Sequence, residues 1–239
     1  MGVGRKQDQG EAATSDAEAG FRTVTARRRR RETKQRMLEA MFELVDRDGA
    51  DALTVDELRH ACGLSRGAYY RYFPTLQDML VAASAAIGGR IHAEVSERFD
   101  GEPNAARRMC KVARYFVQRA ASDAACAQLL LKTMPNTVAV SEYSRMRATA
   151  NFAQAQADGQ FVLPDAEVAL ELGLGVQVAM LRRAVVHGFD AAKASAAVEV
   201  MMRGFGLDPA SAHRFANEPL PPPDDTDLRN AAIARMLKD

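Results

Sequence analysis

Apolar positions recur along this chain at helical spacing, and no sustained stretch shows the strict alternation of a strand. Met37, Leu38, Met41, Phe42, Leu44 and Val45 share one face of a first helix, which Gly49 closes as a residue suited to the left-handed step past a helix end. Thr54 with Glu57 three residues on reads as a capping box, in which hydroxyl and carboxylate each satisfy an orphan backbone N–H. The helix it starts carries Val55, Leu58, Ala61 and Cys62 as a buried stripe and stops at Gly63. Ser65 caps a short third helix in which Tyr69 and Phe73, four residues apart, face inward, and Pro74 ends it. Thr75 caps a longer helix running to about Phe99, with Met79, Leu80, Ala83 and Ile87 inward and Gly88-Gly89 as a weak point.

Five more helices are expected up to Gly206. One is capped by Asn104, one runs from Ser122 to Met134 before Pro135, and one runs from Val138 to Asp158 before Gly159. The last two, Asp165–His187 and Asp190–Phe205, are apolar and rich in small residues, so they can approach another helix closely. Beyond Asp208 the chain turns polar, and Pro219 and Pro221 to Pro223 predict an extended linker before a short amphipathic end helix capped by Asp227. Met1 to Gly20 has no apolar period and reads as a disordered tail. The fold class is all-α, with expected units at 1–24, 25–82, 83–207 and 208–239.

Composition agrees: 47% of 239 residues are hydrophobic, enough for a packed core, and helix formers outnumber β-branched and aromatic residues. The net charge of +1 is uninformative, but Arg27 to Arg31 form an unbroken basic run. Positive charge at a helix start opposes the helix dipole, so the run is expected to serve an external anion such as phosphate, a solvated helix start being the plainer alternative. Three scattered cysteines make no disulfide framework and point to a reducing, cytoplasmic setting. No apolar window is long enough to span a membrane, and no secretory leader is predicted.

A short helix, a turn with glycine and a second short helix have helix-turn-helix spacing, in which the second helix enters the major groove. Arg66 and Arg71 can offer paired donors to guanine or phosphate, Gly67 permits close approach, and Ala68 can touch a thymine methyl. Tyr70 and Tyr72 can reach phosphate or sugar, while Thr54, Ser65 and Thr75 stand at helix starts, where backbone N–H groups attract anions. With Arg27, Arg28 and Arg29 these are the candidate DNA-binding residues. A helical hairpin inside an ordinary bundle is the alternative reading of the spacing.

The run from Met37 to Leu80, with Gly49, Thr54, Leu58, Gly63-Leu64-Ser65 and Arg66 to Phe73, resembles the DNA-binding domain of TetR-family transcriptional repressors. The resemblance departs at Leu76, where the family often has a lysine phosphate contact, at Gln77, often glutamate, and at Arg59, usually alanine. It implies a ligand-responsive regulator, most simply a repressor. Such a regulator binds a palindromic double-stranded operator as a dimer, with recognition helices roughly 34–36 Å apart. Residues 165–205 would form the homodimer interface, and a small-molecule effector would occupy the body and release DNA. Candidate effector contacts on the body's apolar faces are Met109, Phe116, Leu130, Met134, Met146, Phe152, Val176 and Met180, each of which has plain core packing as its simpler role.

No metal is expected, because the four histidines show no ligand spacing, and no cofactor is expected either. Cys110 and Cys126 read as buried structural thiols, with a redox pair as the alternative. No enzyme motif was found: there is no GxSxG, phosphate-cradling glycine loop or paired histidine motif. A helical adaptor without sequence-specific DNA binding is the other function class.

Overall fold

Side-chain caps decide where most of the helices begin. Thr54, Ser65, Thr75, Asn104, Asp123, Asp165, Asp190, Asp208 and Asp227 each accept a hydrogen bond from a backbone N–H two or three residues ahead. The computed structural model describes residues 8–134, 142–163 and 165–238. Among these it has eleven helices: α1 (Asp8–Asp48), α2 (Val55–Ala61), α3 (Arg66–Tyr70), α4 (Leu76–Phe99), α5 (Ala105–Ala120), α6 (Ala124–Thr133), α7 (Glu142–Ala157), α8 (Ala166–His187), α9 (Ala191–Gly204), α10 (Pro209–Ala216) and α11 (Leu228–Met236).

Met37, Leu38, Met41, Phe42 and Val45 of α1 close over Leu58, Tyr69 and Phe73, making a small N-terminal core. From there α4 runs into a body whose core continues through Ile87, Ile91, Phe116, Leu129, Leu181, Val198 and Met202. A buried ion pair fastens α4 to α5: Glu94, 1% exposed, accepts from Arg119 Nε at 2.8 Å and from Tyr115 Oη at 3.2 Å. Burying charge is tolerable here because each oxygen has a donor.

Several expectations are corrected. The first helix begins at Asp8, inside the stretch expected to be a disordered tail, and residues 1–7 of that stretch lie outside those described. Ala61 is exposed, so the buried side of α2 rests on Leu58 and Cys62, with Val55 half-buried. Gly88 and Gly89 do not interrupt α4, which stays helical through both. The expected stop at Pro135, the start at Val138 and the loop at Pro164 fall outside the described residues.

The largest correction concerns 208–239. Asp208 followed by Pro209 is a helix start, cap and first residue together, and α10 follows it. The proline segment then runs back over the body as a pinned strap. Arg107 Nε donates to Glu218 at 2.8 Å, Arg90 meets Asp224 at 3.4 Å, and Arg119 donates to the Thr226 carbonyl. It delivers α11 onto α4, where Leu228, Ala232, Ile233 and Met236 are buried. The segment is part of the fold and not a free linker.

Candidate DNA-binding face and effector cavity

The short helix α3 is held from below and open above. Tyr69 is fully buried, with its ring edge-on to Tyr70 at 5.4 Å, and Phe73 is buried beside it. Burial of Tyr69 pushes its phenol up to about 12, so it stays protonated and serves as packing. Gly63, at φ +63, turns the chain between α2 and α3. Ser65 accepts the Ala68 N–H at 3.2 Å, which leaves Arg66, Gly67, Tyr70 and Arg71 exposed and Ala68 half-buried. A Cβ on Gly67 would meet nothing within 4 Å, so this edge of α3 is free to approach a surface.

The cations around α3 are unevenly engaged. Arg66 Nη2 donates to Asp56 of α2 at 2.8 Å, and Arg59, in the alanine position of the resemblance, donates to the same carboxylate at 2.6 Å. Hydrogen bonds first from Arg59 and then from Arg66 hold Asp56 below the usual carboxylate range. Arg27 to Arg31 are exposed on α1. Arg29 and Arg30 line a shallow groove with Thr25, Thr33, Arg71 and Tyr72, and Arg30 lies over the Tyr72 ring at 5.9 Å. The basic run and the end of the short helix therefore form one surface. Thr54 and Thr75 are committed as caps: Thr54 shares a capping box with Glu57, and Thr75 donates to Asp78 at 2.8 Å. Leu76 is half-buried against the core and offers no charge.

The body holds a cavity of about 170 Å³ between α4, α5, α6, α7, α8 and α9. Of the eight proposed effector contacts, Met109, Phe116, Leu130, Met134 and Phe152 line it. Val176 and Met180 line a different groove, on the side of α8 and α9, and Met146 is 60% exposed. Sequence reasoning missed the polar lining: Ser84, His92, Ser96, Arg108, Asn151 and Gln177. Their signal was helical phase, since His92 and Ser96 follow Gly88 at steps of four along α4. Burial first and Arg147 second lower the His92 pKa, so its ring is neutral near pH 7, and it lies 5.4 Å from the Phe116 ring, tilted to it. Arg108 is 9% exposed and fully engaged, donating to Asn151 at 2.8 Å and to Gln154 at 2.8 Å. Phe152 and Phe205 of this lining cluster with Phe161, with centroids 5.3–6.1 Å apart. Beside them the chain turns at Gly206, at φ +94, where a Cβ would fall 2.8 Å from the Val162 nitrogen.

Residues 37–83, which contain α2, the turn and α3, match the family model of bacterial regulatory proteins of the tetR family. Residues 37–83 thus carry the DNA-binding domain of the tetR family of bacterial regulatory proteins. None of the curated proteins compared matches it. Among solved structures it is similar to RolR in complex with resorcinol, at 19% identity over 81% of this chain and 97% of that one, with a TM-score of 0.64. RolR without ligand is similar at 20% identity over 78% and 97%, with a TM-score of 0.59. A tetR-family regulatory protein from Rhodococcus RHA1 is similar at 19% identity over 74% and 98%, with a TM-score of 0.57. At these identities the likeness beyond residue 83 is one of fold.

The tetR-type DNA-binding domain and the cavity share α4: Met79 and Leu80 pack under α3, and Gly88 and His92 face the cavity. The outer faces of α8 and α9 expose Val168, Leu172, Val186 and Val200, each more than half accessible. Cys110 and Cys126 are buried free thiols, and burial pushes Cys110 up to about 12 and Cys126 higher still. Among the described residues no cluster of His, Cys, Asp and Glu could hold a metal, and no helix is long and apolar enough to cross a membrane.

Proposed function

We propose that this chain is a repressor that binds a palindromic operator as a homodimer and releases it when a small molecule enters the body. The observation that carries the reading is that one helix, α4, runs from the packing beneath the exposed α3 to the wall of the cavity. A ligand favouring one placement of α4 therefore biases α3 in the same step. The readers are Arg66, Gly67, Ala68 and Arg71, and the phosphate contacts are Arg27, Arg28, Arg29, Tyr70 and Tyr72. Thr54, Ser65 and Thr75 present helix starts to the backbone. The partner copy packs through residues 165–205, where Val168, Leu172, Val186 and Val200 are exposed apolar side chains that a partner would cover.

The effector is a neutral compound of about one ring. A cavity of about 150 Å³ accommodates benzene in another protein, and the one here is ≈170 Å³. Its wall is apolar with a few convergent polar groups, and neutral His92 can donate to or accept from a hydroxyl. RolR, similar in fold, was solved with resorcinol, a ring of this size. Gel retardation with duplexes selected from a random pool tests the DNA half of the reading. Enrichment of an inverted repeat is expected, and failure to retard any duplex at low salt would refute it.

A further inference from the structure

The strap and α11 join two parts of the molecule that α4 already connects. One guanidinium makes the join. Arg229 Nε donates to Asp123 at the start of α6 at 2.5 Å, and its Nη2 donates to Asp46 of α1 at 3.0 Å. The three side chains are 20–39% exposed, and the Phe42 ring lies 5.7 Å from the guanidinium carbon. Lys34 of α1 adds a hydrogen bond to the Met236 carbonyl at the end of α11. On its other side α11 rests where α4 has no side chain: a Cβ at Gly89 would lie 3.2 Å from Arg235 Nη1. Gly88 and Gly89 also line the cavity, so α11 and the cavity wall meet along one turn of α4.

A domain joined to the body by one continuous helix, with only a small contact to α6 beside it, can tilt as that helix bends, since long helices curve gently at low cost. A further tie through α11 limits that freedom. We propose that α11 is an intramolecular strut and Arg229 a positioning residue for DNA binding: the strut sets the angle of the α1–α3 domain on the body, and so the spacing of the two recognition helices in a dimer. A lone exposed ion pair would be a weak tie. Here a planar fork, partly shielded, spans carboxylates from two domains, and a lysine would reproduce neither the reach nor the geometry. Asp123 also caps α6, so its removal would disturb more than the strut. Asp46 has no such second role, and Gln128 to the Ala50 N–H (3.1 Å) and Lys132 to Asp51 (2.7 Å) keep the domain attached without it.

The proposal rests on the regulator reading above, and its test separates the two. Binding is measured to a set of duplexes carrying the selected half-site pair at successive spacings, and to a duplex with a single half-site. Wild type is expected to prefer one spacing. In Asp46→Asn and Arg229→Gln that preference is expected to fall about fivefold or more, with single half-site affinity unchanged. The double variant is expected to be no worse than Arg229→Gln alone, because both remove the same tie. Circular dichroism melts accompany each variant, and if Arg229→Gln does not fold, Asp46→Asn decides. Equal spacing preference in wild type and a folded variant overturns the strut. A wild type that binds no duplex overturns the regulator reading and the strut with it.

Discussion

Arg66 is already engaged in the free protein. It must leave Asp56, or bring that pairing to the groove, to reach a base edge. Arg66→Ala is therefore expected to lower affinity for the selected duplex roughly tenfold and to relax specificity at one position, as loss of a base contact does. Asp56→Ala is expected to do the opposite, tightening binding to all duplexes as it frees Arg66 and Arg59. Retardation of selected and scrambled duplexes at one salt concentration checks both. His92 offers a second test. Its pKa is lowered in the fold, so the unfolded chain takes up a proton first as pH falls. The stability this site contributes is complete above about 6.5 and declines as pH falls through the folded value. Melting temperatures from pH 7.5 to 5 should fall less steeply in His92→Gln than in wild type. Of the residues that matter here, Tyr69 and Phe73 were readable in the sequence because their spacing placed them inward. Arg108 was not, because a polar side chain lining a cavity looks in sequence like one facing solvent, and His92 carried only the weaker signal of its phase along α4.

At the scale of elements, α3 and the arginine-bearing part of α1 act as one basic surface. Leu76 is half-buried and contributes no charge, so in the proposed reading phosphate contact leans on the Arg27 to Arg31 run, of which Arg29 and Arg30 line the groove beside Tyr72. Replacing Arg30 by alanine should weaken binding to all duplexes alike and reduce the slope of log affinity against log salt by about one. A titration at several salt concentrations shows whether the slope changes. Caps made most of these elements visible beforehand: Thr54, Ser65, Thr75, Asn104, Asp165, Asp190 and Asp227 each start a helix where the sequence marked one. The same logic applied to Asp208-Pro209 would have found α10, but the prolines that follow dominated the reading of that region. What the prolines do is fix an extended path with little entropy left to lose, which suits a strap. Its docking could not be read locally, because the partners of Glu218, Asp224 and Arg229 lie more than a hundred residues away in sequence.

For the molecule as a whole, the proposed regulation requires a dimer. The exposed faces of α8 and α9 carry Val168, Leu172, Val186 and Val200, and the groove between them is lined by Val176, Met180 and Ala197. Two of the residues first expected to touch effector thus lie on the face expected to meet the partner copy. Helical phase alone cannot say which of two apolar faces is which, and the packing of α8 against α5, α6, α7 and α9 separates them. Val186→Asp with Val200→Asp should give a folded monomer by sedimentation velocity at micromolar concentration, with operator affinity reduced at least a hundredfold as half-site avidity is lost. A dimer that survives both changes would place the interface elsewhere.

The most direct measurement of the central claim is operator release by a ring compound, compared in wild type and in Ala113→Phe. Ala113 lines the cavity and is 6% exposed, so a phenyl group there occupies the effector's space while the DNA-binding face is untouched. With resorcinol and other neutral single-ring compounds added to the protein–duplex complex, release is expected from wild type and retention by Ala113→Phe at equal starting affinity. Release from both proteins at the same concentration, or from neither, would contradict it.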